Sequence, residues 1–235
     1  AGRVTAAAAQ HLAATTLAEE AAAQARTRVF VFGPQETQAG LLAGRATTRL
    51  FTMNPQGQFV ARGERPEWLA EYNALHPAEN ARDAKWVALG AGAGVPPLRV
   101  LTYDPARPED FYALYRSSPF AQAAQFEFLR ELIAREKMGQ NETFDFLAAS
   151  LDSTALLGYE TGADSPLMEQ MVLHLDRELE FTLEMLNRTV GAGRYTLAVA
   201  AAHGAARSPE GTTRAQAAVN GEALARAIDR GLAEQ

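Results

Sequence analysis

Apolar and polar positions along this chain follow two periods. Residues 28–32, Arg-Val-Phe-Val-Phe, form a β-branched and aromatic run stopped by Gly33-Pro34, which predicts a strand with a defined end. Residues 144–150 and 195–201 carry similar short apolar runs and predict two more buried strands. Leu50 to Val60, broken by Asn54-Pro55-Gln56-Gly57, predicts a hairpin. Helical spacing governs most of the rest. Residues 6–24 are alanine-rich with Leu12, Leu17 and the pair Glu19-Glu20; residues 38–44 end on glycine; residues 66–72 start on proline. Ser117-Ser118-Pro119 opens a helix over 120–137 that Gly139 closes, and a terminal helix covers 220–232. Residues 166–190 predict a long helix with Leu167, Met171, Leu175, Leu179, Leu183 and Leu186 on one core-facing stripe. Between Ser150 and that helix lies a polar loop through Gly158 and Gly162.

Strand, crossover helix and strand over 144–201 make a βαβ unit, which implies an α/β fold with a parallel sheet. Phe146 and Leu147 are expected beside Leu197 and Val199 in adjacent parallel strands, covered by the helix bearing Leu175 and Leu179. Residues 90–97, Gly-Ala-Gly-Ala-Gly-Val-Pro-Pro, have loop composition. No internal repeat is present.

Composition narrows the partners. With 22 basic and 28 acidic residues the net charge is −6, and no basic stripe marks a nucleic-acid surface. The absence of cysteine excludes disulfides, thiolate metal sites and a cysteine nucleophile. No apolar run reaches the roughly 20 residues that span a bilayer. Residues 1–4, Ala-Gly-Arg-Val, do not open a signal peptide, so the expectation is that any export signal has been removed or that the chain is cut from something longer.

In open α/β sheets ligands gather beyond the carboxyl ends of strands, which directs attention to two segments. The first runs from Ser150-Leu151-Asp152-Ser153 through Ala155, Tyr159 and Gly162 to Asp164-Ser165; the second is Leu197-Ala198-Val199-Ala200-Ala201-Ala202-His203-Gly204-Ala205. With Leu175-Asp176-Arg177-Glu178-Leu179, they resemble the alkaline phosphatase superfamily, in its branch of exported phosphomonoesterases and nucleotide pyrophosphatase/phosphodiesterases. There the first segment runs serine, then Asp-x-x-x-His, then Gly-Pro-x-Ser, and the second runs Thr-Ala-Asp-His-Gly. Weaker echoes lie at Ala39-Gly40-Leu41-Leu42-Ala43-Gly44, at Pro66-Glu67-Trp68-Leu69 and at Ser118-Pro119-Phe120, so the resemblance spans about Thr15 to Leu232. It implies a partial three-layer α/β fold, mainly parallel sheet flanked by helices, in a single domain over 1–235 with a cap-like insertion at about 50–115. It also implies a periplasmic or secreted, bacterial protein.

The family's chemistry uses two zinc ions held by aspartates and histidines around a threonine or serine nucleophile, a two-metal arrangement. Carried onto this sequence, the aspartate and histidine of the first motif fall on Ala155 and Tyr159. The aspartate of the second falls on Ala202, and only His203 survives. A phosphate-contacting Lys-Asp-Arg falls on Gln35-Glu36-Thr37, so Gln35 and Thr37 replace both cations. The nucleophile segment and the last ligand histidine fall outside the residues present. Alanine cannot ligate a metal, and one histidine cannot hold a catalytic zinc. The resemblance therefore implies a pseudoenzyme with no metal cofactor, acting as a structural or accessory subunit through protein–protein contacts, with another chain or with copies of itself. The alternatives are a fragment or subunit of a metal-dependent phosphatase or phosphodiesterase, and an anion or small-molecule binding module.

The remaining polar and aromatic residues have plainer readings. His203 is read as hydrogen-bonded at a strand end, Asp152 and Asp164 as self-bonding turn residues, and His174 as lying beside the helix stripe. Trp68, Tyr72 and Trp86 are read as buried in the cap-like part. Gly90 to Gly94 lack the Lys-Ser/Thr of a phosphate loop, and no Ser-His-Asp set can be assembled.

Overall fold

The computed structural model describes residues 8–46, 48–207 and 221–233. In chain order the helices and strands begin with α1 (Leu17–Ala22), β1 (Thr27–Phe32), α2 (Glu36–Ala43), β2 (Arg49–Met53), β3 (Phe59–Arg62) and α3 (Trp68–Leu75). A two-residue pair follows, β4 (Lys85–Trp86) and β5 (Arg99–Val100), then α4 (Pro108–Arg116) and α5 (Pro119–Arg135). The chain continues through β6 (Phe144–Ala149), α6 (Ser153–Thr161), α7 (Pro166–Leu186) and α8 (Gly221–Ala233).

The main sheet has the order β3-β2-β1-β6. β1 runs parallel to both neighbours, with Val31 opposite Leu50 on one side and Ala148 on the other. β3 returns antiparallel to β2, pairing Phe51 with Ala61 across the hairpin. Gly57 occupies the turn with a φ of +81°, a conformation that costs glycine little.

Alternation along β1 splits its side chains between two layers. Phe30 and Phe32 join Phe51, Phe59, Tyr72 and Phe128 on the face covered by α3 and α5; Val29 and Val31 meet Ala18, Ala39 and Ala43 of α1 and α2 on the other. Phe128, fully buried, stacks on Phe59 with centroids 4.1 Å apart and has Phe32 at 5.3 Å and Phe51 at 5.5 Å. The fold is α/β, three-layered, with a mainly parallel sheet. Beyond it, Leu101, Phe111 and Tyr115 form a second cluster with Ala78 and Ala121. Tyr72 and Trp86 are buried and Trp68 packs half-buried against the main core. Among the described residues no helix is long and apolar enough to cross a membrane.

Four expectations fail. Residues 195–201 form no strand, and Leu197 and Val199 are 45% and 68% exposed; the parallel partner of Phe146 and Leu147 is β1. On either side of this segment, Arg194 reaches the carbonyl of Gly139, and the carbonyl of Ala206 accepts from the amide of Ala163. An apolar run supplies β-propensity, but a strand needs a ladder, and residues 195–201 form none with the outer edge of β6.

The polar loop after Ser150 is α6, with Asp152 at its N-cap position. Gly158 hid it in the sequence, yet that glycine sits mid-helix because an added Cβ would meet Met168 Cε at 3.2 Å and Ala205 Cβ at 3.3 Å. The helix expected over 6–24 is shorter. Residues 1–7 lie outside the described residues, and α1 starts after Thr16, whose hydroxyl accepts the Glu19 amide while the Glu19 carboxylate accepts the Thr16 amide.

Finally, the core stripe of α7 is rotated. Met168, Met171, Thr182 and Met185 are buried and Leu183 is 37% exposed, because α7 packs mainly on α5 and α6 and joins the sheet-face core through Met185 and Leu186. Arg130 of α5 fixes that orientation by bonding Glu178 at 2.8 Å and Thr182 at 3.3 Å.

Candidate functional site

The connections from β1 lead to β2 on one side while β6 lies on the other, so the carboxyl ends of β1 and β6 form the switch point of the sheet. Gln35, two residues beyond Pro34's neighbour Gly33, and Asp152 meet there. Gln35 Nε2 donates to Asp152 Oδ2 at 3.2 Å, Arg116 Nη2 donates to the same oxygen at 2.8 Å, and Gln125 Nε2 donates to Oδ1 at 3.2 Å. Asp152 is 2% exposed and makes no cap bond to α6. The reading of Asp152 as a self-bonding turn residue is therefore wrong. It is a buried acceptor whose oxygens are committed to a guanidinium and two amides.

Polar groups extend from this centre. Gln125 also reaches Ser153 Oγ at 3.1 Å, Thr154 Oγ1 donates to Gln122 Oε1 at 2.8 Å, and Gln122 Nε2 donates to the Met171 carbonyl at 3.3 Å. On the outer side Glu160 takes two bonds from Arg99, at 2.7 and 3.0 Å, and one from Ser117 Oγ at 3.1 Å. Ser117, Ser118, Gln122, Gln125, Asp152 and Ser153 are all buried, and of the buried polar residues described only Thr182 lies elsewhere. Arg116, Gln122, Gln125, Arg99 and Glu160 were not singled out from sequence. A usable signal existed: Gln122 and Gln125 interrupt the face of α5 that carries Phe128, Leu129 and Leu132. Polar residues at core positions need partners.

Of the positions taken from the resemblance, the structure joins two. Ala155 and Tyr159 stand on successive turns of α6, and the Tyr159 hydroxyl lies 3.0 Å from His203 Nε2, with the rings stacked at 5.9 Å and 21°. His203 Nδ1 lies 2.9 Å from the Gly204 carbonyl, so both ring nitrogens have partners. Ala202 is exposed beside it. Gln35 and Thr37 diverge: Gln35 turns to Asp152, whereas Thr37 lines a separate open cavity of about 630 Å³ together with Gly40 and Arg62.

These groups do not suit a metal. Two alanines offer no lone pair, Tyr159 and His203 bond one another, and Asp152 is engaged by Arg116. Among the described residues no three His, Cys, Asp or Glu side chains come close enough to hold an ion. His174 is held below the usual imidazole range, first by burial and then by Arg177, and lies on α7, outside this site.

Comparison with known proteins gives concordant matches. The family profile described as type I phosphodiesterase / nucleotide pyrophosphatase matches residues 39–231. Alkaline phosphatase PhoV of Synechococcus elongatus is 39% identical over 98 residues, covering 42% of this chain and 18% of that protein. A calcium-transporting ATPase of Myroides odoratus is 36% identical over 104 residues, covering 43% and 19%, and alkaline phosphatase PafA of Elizabethkingia meningoseptica is 35% identical over 95 residues, covering 40% and 17%. The crystal structure of wild-type PafA shares the fold at a TM-score of 0.58 and 23% identity, over 72% of this chain and 37% of that one. The aligned part is thus less than a fifth of the length of these relatives. The likeness holds although the strand expected at 195–201 is not formed.

Proposed function

The chain belongs to the type I phosphodiesterase / nucleotide pyrophosphatase family, and we propose that it is a non-catalytic member that works through protein–protein contacts as a structural or accessory subunit. The observation that carries this reading is the Tyr159–His203 clasp. Where the resemblance assigns metal ligands, this chain has the methyl groups of Ala155 and Ala202 and a tyrosine whose hydroxyl bonds the remaining histidine. The phosphate-contact positions, Gln35 and Thr37, are neutral and lie in different surroundings. Asp152, the buried carboxylate nearest the switch point, is neutralised by Arg116.

Elemental analysis of the purified protein, with assays on an aryl phosphate monoester and a bis-aryl phosphodiester, tests the reading. The expected result is well under one zinc per chain and no turnover above buffer. Close to two zinc ions with turnover would overturn it. A second reading, a piece of an active metal-dependent enzyme completed by further polypeptide, draws support from the 37% span of the solved relative. Added residues would still leave alanine at 155 and 202. The triple variant Ala155→Asp, Tyr159→His, Ala202→Asp separates the two: gain of zinc binding by the variant alone favours the non-catalytic reading, and zinc binding by the unaltered chain favours the other.

A further inference from the structure

β3 is an edge strand of the main sheet, and an edge offers its free peptide groups to any further strand. The register shows which groups those are. The Asn54 amide donates to the Gln58 carbonyl, and Met53 stands opposite Phe59. By the alternation of an antiparallel ladder, Phe59 and Ala61 therefore turn their N–H and C=O groups away from β2. They are the whole outward ladder of this four-residue strand, because Gly63, at a φ of +88°, takes the chain out of the extended conformation.

One of the two is already paired. Asn73 of α3 donates from Nδ2 to the Phe59 carbonyl at 2.8 Å, and its Oδ1 accepts the Phe59 amide at 2.9 Å. A carboxamide carries the donor and the acceptor of a peptide group, so Asn73 stands where one residue of a neighbouring strand would stand. Its helix holds it there: Leu69 and Tyr72 are buried, and the Tyr72 ring meets Phe59 edge-on at 5.7 Å. Only Ala61 is left, next to the exposed Arg62, which pairs with Glu36 at 3.2 Å. A single open residue beside a charge is too little to start a ladder.

We propose that Asn73 is an edge guard, which closes β3 to strand addition by a second copy of this chain. Without its carboxamide the edge would offer two successive outward residues, Phe59 and Ala61, enough for the β3 strands of two copies to pair. The guard operates whether or not the chain turns over phosphate esters, so the zinc and turnover assays leave it untouched.

Amide exchange of the unaltered chain, read by NMR, gives the first test and needs no variant. The Phe59 amide should exchange at least tenfold more slowly than the Ala61 amide, although both face outward; equal rates overturn the proposal. Sedimentation velocity of the full chain at tens of micromolar gives the second. Asn73→Ala should form larger species that grow with concentration and that the parent lacks. Asn73→Asp keeps an acceptor for the Phe59 amide and adds a charge at the edge, so it should sediment as the parent does. Val60 is 42% exposed on the same strand, and Val60→Lys added to Asn73→Ala should remove the larger species while exchange at Phe59 stays fast. A purely structural Asn73 would lower stability in the alanine variant without new species, and that result overturns the proposal, as does association that Val60→Lys leaves unchanged.

Discussion

The Tyr159 hydroxyl and His203 Nε2 lie 3.0 Å apart although 44 residues separate them in the chain. Their bond, the Ala163–Ala206 backbone bond and the close approach of Gly158 to Ala205 seat residues 203–206 on α6. Two contacts on α6 and one just beyond its end hold a segment that has no ladder of its own. Because Tyr159 is 71% exposed, the hydrogen bond is worth under about 1 kcal/mol. Its effect is local.

Tyr159→Phe and His203→Ala should each accelerate amide exchange at residues 204–206 several-fold while moving the global melting temperature by no more than about 2 °C. Hydrogen exchange read by mass spectrometry checks this. A global loss of stability, or no change at 204–206, would show that the clasp does not anchor the segment.

Asp152 carries a larger share. Asp152→Ala takes the acceptor from Arg116 and one of two acceptors, the other being Ser153 Oγ, from the fully buried Gln125. The expected cost is about 3 kcal/mol, between that of orphaning a buried hydrogen-bonding group and that of breaking a fully buried pair. The Arg116 side chain keeps 27% exposure, which holds the cost below the upper value. Asp152→Asn retains acceptor geometry at one oxygen and should cost less. Urea unfolding of both variants gives the order directly.

Phe128→Ala removes the ring around which the sheet face is packed. Phe59 stacks on it at 4.1 Å, and Phe32, Phe51 and Tyr72 lie within 5.3 to 5.7 Å. A loss of about 4 kcal/mol is expected from transfer and cavity together. A loss below about 1.5 kcal/mol in urea unfolding would mean that the aromatic cluster repacks.

Acid should weaken the N-terminal corner through Glu19. Its hydrogen bonds from Arg45 and from the Thr16 amide hold its carboxyl at about 2, against 4.5 ordinarily. A carboxyl lowered by folding adds stability that is complete above the unfolded value and is lost as pH falls toward the folded one. Glu19→Gln should therefore flatten the dependence of stability on pH between about 4.5 and 2 relative to the parent, with little slope difference above 5. Thermal melts across that range measure it, and parallel curves for the two proteins would refute the assignment.

The parts of the fold legible in sequence are those that local chemistry decides. The alternation of β1, its Gly33-Pro34 stop, the hairpin around Gly57, the proline starts of α5 and α7 and the α/β class follow from period, turn residues and backbone freedom. Family membership was legible for the same reason, because short motifs survive in order along the chain. Residues 195–201 show where such reasoning stops. Their composition suits a strand, but laddering is a property of two segments, and among the described residues β6 pairs only with β1. α6 was masked by Gly158, whose role is a close approach to Met168 and Ala205 that no local pattern records. Asp152 is the sharpest case. Its carboxylate is engaged by Gln125, Arg116 and Gln35, which lie 27, 36 and 117 residues away. Identity made Asp152 a turn former in the sequence. Burial beneath those three donors makes it the centre of the site, because only the packing of α4, α5 and α6 over the strand ends removes water and leaves the protein to supply its hydrogen bonds.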